Sequence, residues 1–279
     1  MIVMKFWGVR GSVPAPGPHT AGIGGNTSCV EMRCDGVRLV FDGGTGLRVL
    51  GKHLASESPQ TLHLFFSHVH WDHIQGFPFF APAFIAGNTI HMYGAANVDG
   101  TIEAAMAGQM EFPNFPVKLR DLPSELVFHD LAAPDEVTVA EGVRVRTAAG
   151  NHPGGVLAYR VEHGGRSVVY ATDTEHFEGG VDQRLLELAR GADVLIYDSQ
   201  YTPEEYAGEQ GLSRVGWGHS TFVEGARLAG EAGVGQYVLF HHDPDQDDEA
   251  VRDKERRARE LFPRSLAAYE GLEVRVGEP

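Results

Sequence analysis

The run S-H-V-H-W-D-H-I-Q-G at 67–76 restricts what this chain can become more than any other stretch. It places His68, His70, Asp72 and His73 directly after the apolar-rich segment 62–66, which reads as a strand. A strand that stops and turns sharply can aim such neighbouring side chains into one volume. Imidazole nitrogens and a carboxylate oxygen are suitable ligands for zinc, manganese or iron. The four groups exceed the ordinary demand of one ion, so the spacing predicts a pair of metals.

Other ligand-type residues occur in similar local contexts. His152 follows the predicted strand 143–147, Asp173 the strand 167–170, Asp198 the strand 194–197 and His241 the strand 237–240. Loops at strand ends, held by a rigid scaffold, are the usual way to build a site from distant positions. A lone histidine near an apolar strand is more often a satisfied core or surface residue. His19, His53, His63, His91, His129 and His163 are read that way.

Upstream, a strand over 1–8 leads into a long Gly- and Pro-rich loop, which suggests a functional loop rather than a plain turn. The turn D-G-G-T-G at 42–46 follows another short strand. It lacks the Lys-Ser/Thr pair of a nucleotide P-loop, and no G-x-G-x-x-G is present. Its glycines are read as letting Asp42 reach and brace the metal-bearing segment. Downstream, helices are expected over 101–108, 181–190, 221–232 and 247–262. Glu224 stands at capping-box spacing from Thr221, and Asp253 stands four residues from Arg257. The polar stretch 198–218 reads as a loop.

The aromatics Phe77, Phe79, Phe80, Phe84, Phe112 and Phe115 crowd 77–120 without clean periodicity. That segment is expected to cover the pocket within one domain spanning 1–279, with core packing or a homodimer contact as competing uses of the same rings. Cys29 and Cys34 are read as buried free thiols rather than a disulfide framework. The formal charge of −15 gives a surface with no general attraction for membranes or nucleic acid. With no long apolar run and no secretory signal, the expected location is cytoplasmic.

With these residues in place, the chain resembles the metallo-β-lactamase superfamily, whose H-x-H-x-D-H signature stands here at His68, His70, Asp72 and His73. The likeness extends over essentially the whole chain. It implies an α/β fold, a four-layer αββα sandwich of two mixed sheets flanked by helices, with a metal site at one sheet edge. By position it assigns His68, His70 and His152 to one ion, Asp72, His73 and His241 to the other, and Asp173 between them. His241 is preferred to His242 because L-F-H-H-D-P lines up with the corresponding ending of the family's nucleases.

Within the superfamily, G-V-R-G-S-V-P, G-G-N-T-S-C, H-x-H-W-D-H-I-Q-G-F-P, Y-D-S-Q-Y and G-H-S-T resemble the phosphodiesterase branch of ribonuclease Z and the PhnP-like phosphoribosyl cyclic phosphodiesterases. The implied activity is hydrolysis of a small cyclic or linear phosphodiester by a hydroxide held between two divalent ions. Zinc is the first choice, with manganese or iron as alternatives. The resemblance gives catalytic parts to Asp72, Asp173 and His219, the last beside the scissile phosphate. Asp42 and Asp198 are expected to brace ligand rings, Asn26 or Ser28 to contact a phosphate or a ligand, and Trp71, His176 and Tyr201 to shape the rim. Two alternatives remain: an RNA-processing endonuclease, disfavoured by the acidic charge and the lack of a long basic arm, and a thioester- or lactam-type hydrolase.

Overall fold

A computed structural model describes residues 1–95, 100–209 and 211–277. Strand β1 (Ile2–Gly8) enters the long loop 9–28. Then come β2 (Cys29–Cys34), β3 (Val37–Phe41), helix α1 (Thr45–Leu54), β4 (Thr61–Phe65), the single turn α2 (Trp71–Ile74), β5 (Thr89–Ala95), α3 (Ile102–Gly108) and β6 (Glu125–Leu131). The second half runs β7 (Glu136–Ala140), β8 (Val143–Ala149), β9 (Leu157–His163), β10 (Arg166–Ala171), α4 (Gln183–Ala189), β11 (Val194–Asp198), α5 (Pro203–Ala207), α6 (Phe222–Ala232), β12 (Gln236–Phe240), α7 (Asp248–Leu261), β13 (Ser265–Ala267) and β14 (Glu273–Val276).

These strands form two seven-stranded sheets, ordered β14-β1-β2-β3-β4-β5-β6 and β13-β12-β11-β10-β9-β8-β7. Each is mixed: β3 to β6 and β10 to β13 run parallel, while the remaining pairs are antiparallel. Burial follows this division. The parallel strand β11 is buried at every position, because its sheet is covered on both faces. The antiparallel β8 alternates Val143 and Val145 inward with Arg144 and Arg146 outward.

One apolar core lies between the sheets, with Phe6, Phe41, Phe65, Tyr159, Tyr170 and Phe240 among its members. A second packs α1 and α3 on the first sheet, and a third packs α4 and α6 on the other. The four-layer αββα sandwich is therefore the observed architecture. Among the described residues no helix is long and apolar enough to cross a membrane.

Local signals explain most boundaries. Thr221 caps α6 by accepting from the Glu224 N–H, and Gly233 ends that helix in the left-handed region at φ 67°. The full reciprocal capping box belongs instead to α5, between Thr202 and Glu205, inside the stretch expected to be loop. Asp253 pairs with Arg256, not Arg257. The Arg257 guanidinium reaches Glu204 at 2.7 Å and so ties α7 to α5. Cys29 and Cys34 are buried and free. The segment 77–120 contributes β5, next to the edge strand β6 of the first sheet, and Phe77, Phe80, Ile102, Met106 and Met110 from its remainder pack in one core with Ile90 and Met92 of β5.

The carboxyl ends of the parallel strands share one edge of the sandwich, and the candidate residues sit there. Two hydroxyls tie the sheets together at this edge: Tyr159 donates to the Phe66 carbonyl at 2.6 Å and Tyr170 to Asp42 Oδ2 at 2.7 Å.

Candidate metal centre

Each candidate residue leaves its strand at a sharp turn. Asp42 follows β3, the histidine segment follows β4, His152 follows β8, Asp173 follows β10 and His241 follows β12. Asp42 (φ 60°), Asp173 (φ 52°) and His241 (φ 61°) all adopt left-handed backbone. So does Ser12 (φ 60°), whose N–H reaches Asp72 Oδ2 at 2.8 Å. Non-glycine residues seldom take this conformation, and its concentration here marks strain held in place by the surrounding fold. Close backbone packing fixes the histidine segment: the Gly76 N–H donates to Gly43 O, and a Cβ at Gly76 would lie 1.9 Å from Gly44 O. The D-G-G-T-G turn is thus filled by the chain itself, as its reading as a brace requires.

Three groups of possible ligands result: the first two hold the seven expected residues, and a third, Asp173, Asp198, His219 and His241, overlaps the second. In the first, His68, His70 and His152 face one another, with His70 Nδ1 3.1 Å from His152 Nε2. His152 Nδ1 donates to Gly218 O at 2.8 Å, which leaves the lone pair on Nε2. His68 Nε2 is buried with no hydrogen-bond partner. In the second group, Asp72, His73, Asp173 and His241 are all buried. His73 Nδ1 is held by Asp42 Oδ2 at 2.7 Å, and His241 Nδ1 by Gln200 Oε1 at 2.9 Å. Both rings therefore present a bare Nε2 inward. The two nitrogens are 3.2 Å apart and stand 3.1–3.2 Å from Asp72 Oδ2 and Asp173 Oδ2.

Asp173 touches both groups. Its Oδ2 faces His73 and His241, while its Oδ1 lies 3.8 Å from His68 Nε2. His242, by contrast, turns away and meets the Ala268 carbonyl through Nε2.

This donor set fits divalent metal. Bonds of roughly 2.0–2.1 Å in a tetrahedral shell separate neighbouring ligand atoms by about 3.3 Å, close to the spacings found here. Nitrogen lone pairs pointing at one another and at carboxylates repel unless a cation lies among them. No Lys or Arg pairs with Asp72, Asp173 or Asp198 among the described residues, and buried carboxylates need a counter-charge. Burial alone would raise Asp72, yet positive charge on the facing His73 and His241 holds its carboxyl far below the usual range. Against its burial, the carboxylates around His73 push that ring well above the ordinary imidazole value, and a divalent ion would take the place of those ring protons. Burial, aided by His73, pushes His68 well below the ordinary imidazole value, so its ring is neutral and able to ligate.

His219 stands beside both groups, its ring 5.1 Å from that of His241 and 5.2 Å from that of His152. Its Nδ1 is 2.9 Å from Asp198 Oδ2, and its Nε2 has no partner among the described residues. Burial works against its charged form, but Asp198, with Asp173 and Asp72 beyond, raises it to about 9.

Of the expected braces, Asp42 and Asp198 reach His73 and His219. Asn26 is instead held by Glu270, and Ser28 Oγ is buried without a partner. His176 meets Ser220 Oγ at 3.0 Å, Tyr201 packs edge-on to His219, and Trp71 is 78% exposed at the rim. The sequence reading missed Gln200 and Glu175. Gln200 lies in the noted Y-D-S-Q-Y run, and Glu175 lies two residues past Asp173. The Glu175 carboxylate accepts from Gly216 N–H, Gly218 N–H and the Tyr206 hydroxyl.

Comparison with known proteins bears on the family and the fold. Residues 37–242 match the family model described as beta-lactamase superfamily domain. Ribonuclease Z of Bacillus subtilis (strain 168) is 24% identical, covering 85% of this chain and 88% of that protein. A diphosphatase from the PhnP family shares the fold at 17% identity and a TM-score of 0.71, covering 99% of this chain and 98% of that one. Zn(2+)-bound PqqB from Methylobacterium extorquens superposes with a TM-score of 0.72 at 15% identity, covering 99% and 100%.

Proposed function

This chain belongs to the beta-lactamase superfamily, and we propose that it is a two-metal hydrolase of a small cyclic or linear phosphodiester. The observation that carries the reading is the division of Asp173 between two donor groups, one oxygen toward each. His68, His70 and His152 would hold one ion, Asp72, His73 and His241 the other, and Asp173 would hold both. Zinc is the first choice, because these neutral nitrogens suit it and a structural neighbour is zinc-bound. When bound, such ions supply Lewis acidity toward phosphoryl oxygens and an acidified water as nucleophile.

The protein's own residues do the remaining work. Asp72, held by Ser12 N–H, and Asp173, held by the Thr172 hydroxyl at 2.6 Å, keep their carboxylates fixed before substrate arrives. Asp198 orients the His219 ring so that Nε2 is free to donate to a phosphoryl or leaving oxygen. Such assistance is typically worth 10²–10⁴-fold. The turns at 77–84 and the segment 102–118 would cover one side of the approach to the site.

Similarity to ribonuclease Z along most of its length favours RNA as a second reading. The formal charge of −15 argues for the smaller substrate, since polynucleotide binding draws its affinity from basic side chains on phosphates. The test is a hydrolysis panel with the metal-loaded protein: bis-p-nitrophenyl phosphate, 2′,3′- and 3′,5′-cyclic nucleotides, a cyclic ribose phosphate and a precursor tRNA. Turnover of a small diester with about two ions per chain is expected. Cleavage of the precursor tRNA alone would replace this reading with the nuclease.

A further inference from the structure

The turn α2 has two faces. Asp72 and His73 point into the buried donor group, whereas Trp71, Ile74 and Gln75 lie one helical turn apart on the opposite side. That second face forms one wall of a cleft of about 650 Å³, completed by Phe79, Phe115 and the carboxamides of Gln109 and Asn114. Its volume is that of a small-molecule site. A single helix, about 10 Å across with its side chains, separates the cleft from the donor atoms.

We propose that this cleft receives the nucleobase of a nucleoside phosphodiester whose phosphate lies at the metal centre. The inference rests on the phosphodiesterase reading and narrows its substrate. Trp71 is 78% exposed with no ring or cation partner among the described residues, an indole face left open beside the site. Phe79 and Phe115 meet edge-to-face at 5.6 Å and form the facing wall.

The polar groups of the cleft match a base. Among the described residues the Asn114 carboxamide has no hydrogen-bond partner, and Gln109 is engaged only through a 3.6 Å contact to the Met106 sulfur. Each offers a donor and an acceptor side by side, which is how carboxamides recognise a base edge. Among the described lining residues none is charged. A bare apolar wall would suit any lipid-like group and a basic one a polynucleotide backbone; a neutral aromatic slot with free amides suits one base.

The test compares kcat/KM of the metal-loaded protein for thymidine 5′-p-nitrophenyl phosphate and methyl p-nitrophenyl phosphate. A parallel titration with thymidine monophosphate follows quenching of tryptophan emission. The wild type is expected to favour the nucleoside ester, and Trp71→Ala to lower that preference by about 5- to 100-fold through KM, the range of one lost stacking contact. Phe79→Ala lies outside the histidine segment and should lower it in the same sense, which keeps the test decisive if Trp71→Ala disturbs metal loading.

Hydrolysis of both esters with equal efficiency would overturn the base site and leave the phosphodiesterase reading standing. Saturable quenching by the monophosphate, lost in Trp71→Phe, with neither ester hydrolysed would do the reverse. A dimer that dissociates in Trp71→Ala, with no quenching by the monophosphate, would assign the cleft to a second copy of the chain and overturn the proposal.

Discussion

Asp42 Oδ2 lies 2.7 Å from His73 Nδ1 and accepts the Tyr170 hydroxyl at the same distance. One carboxylate of the first sheet thus fixes a ligand-type ring and is itself fixed by the second sheet. Asp42 also accepts from the Ser67 N–H at 2.7 Å, where the histidine segment begins. The tautomer of His73 therefore depends on a residue outside the donor group.

Asp42→Asn keeps the size of the side chain but removes the charge and can set an amide N–H against Nδ1. Loss of such a bracing partner typically costs 10–100-fold in metal affinity. Chelator competition should show one ion leaving the variant at correspondingly lower chelator concentration while the other is held nearly as in wild type. Equal retention of both ions would mean that Asp42 braces the fold and not the centre.

Variants of His219 and Asp173 are expected to separate the chemistry from metal binding. His219→Ala should lower turnover by about 10²–10⁴-fold while leaving metal content near that of wild type, because the ring is held through Nδ1 by Asp198 and the two groups that share Asp173 in the proposed centre do not draw on it. Asp173→Ala removes an oxygen from both groups and should lose metal and activity together. Metal analysis beside steady-state kinetics distinguishes these outcomes, and metal loss in His219→Ala would place that ring among the ligands.

Much of this was legible before any coordinates. The histidine cluster and the strand-end positions of His152, Asp173 and His241 could be read because sharp turns at strand ends leave few directions for a side chain. The apolar runs at 194–197 and 237–240 mark strands buried on both faces in the same way. Other features were hidden because they depend on long-range partners. Arg257 has an acidic neighbour at helical spacing yet pairs across the fold with Glu204. Helix α5 carries Thr202, Pro203 and Glu205, a full set of start signals, inside a stretch so polar that it read as loop. No local pattern reveals that Glu175 clamps residues more than forty positions away.

That clamp supports a prediction about second-layer control. Glu175 holds Gly216 N–H at 2.7 Å and Gly218 N–H at 2.9 Å, and Gly218 O in turn receives His152 Nδ1–H. Glu175→Ala strands the buried Gly218 amide, at a cost of about 1–3 kcal/mol, and releases the exposed Gly216 amide to water. The melting temperature should fall, and with it metal retention on the side of His68, His70 and His152. Glu175→Gln keeps one acceptor oxygen and should recover part of both. A lowered melting point with unchanged metal content in both variants would show that the clamp serves the loop alone.

A stack of rings outside the candidate centre is expected to contribute to the acid limit of stability. His63, His91 and His129 lie on the adjacent parallel strands β4, β5 and β6, with ring centroids 4.9 and 5.3 Å apart, and Tyr93 packs against them. Burial, reinforced by the charges His91 and His129 would carry, lowers His63 to about 4. The folded state then binds fewer protons than the unfolded state between about pH 6.5 and pH 4, so stability is full above that window and falls as pH drops through it. After discounting for solvent screening at this partly accessible stack, the loss is about 1–2 kcal/mol. Denaturant unfolding at pH 7, 5.5 and 4.5 should show a shallower acid decline for His63→Gln than for wild type, with metal kept in excess throughout. Parallel declines would remove His63 as the titrating group and shift the acid sensitivity to the carboxylates elsewhere in the fold.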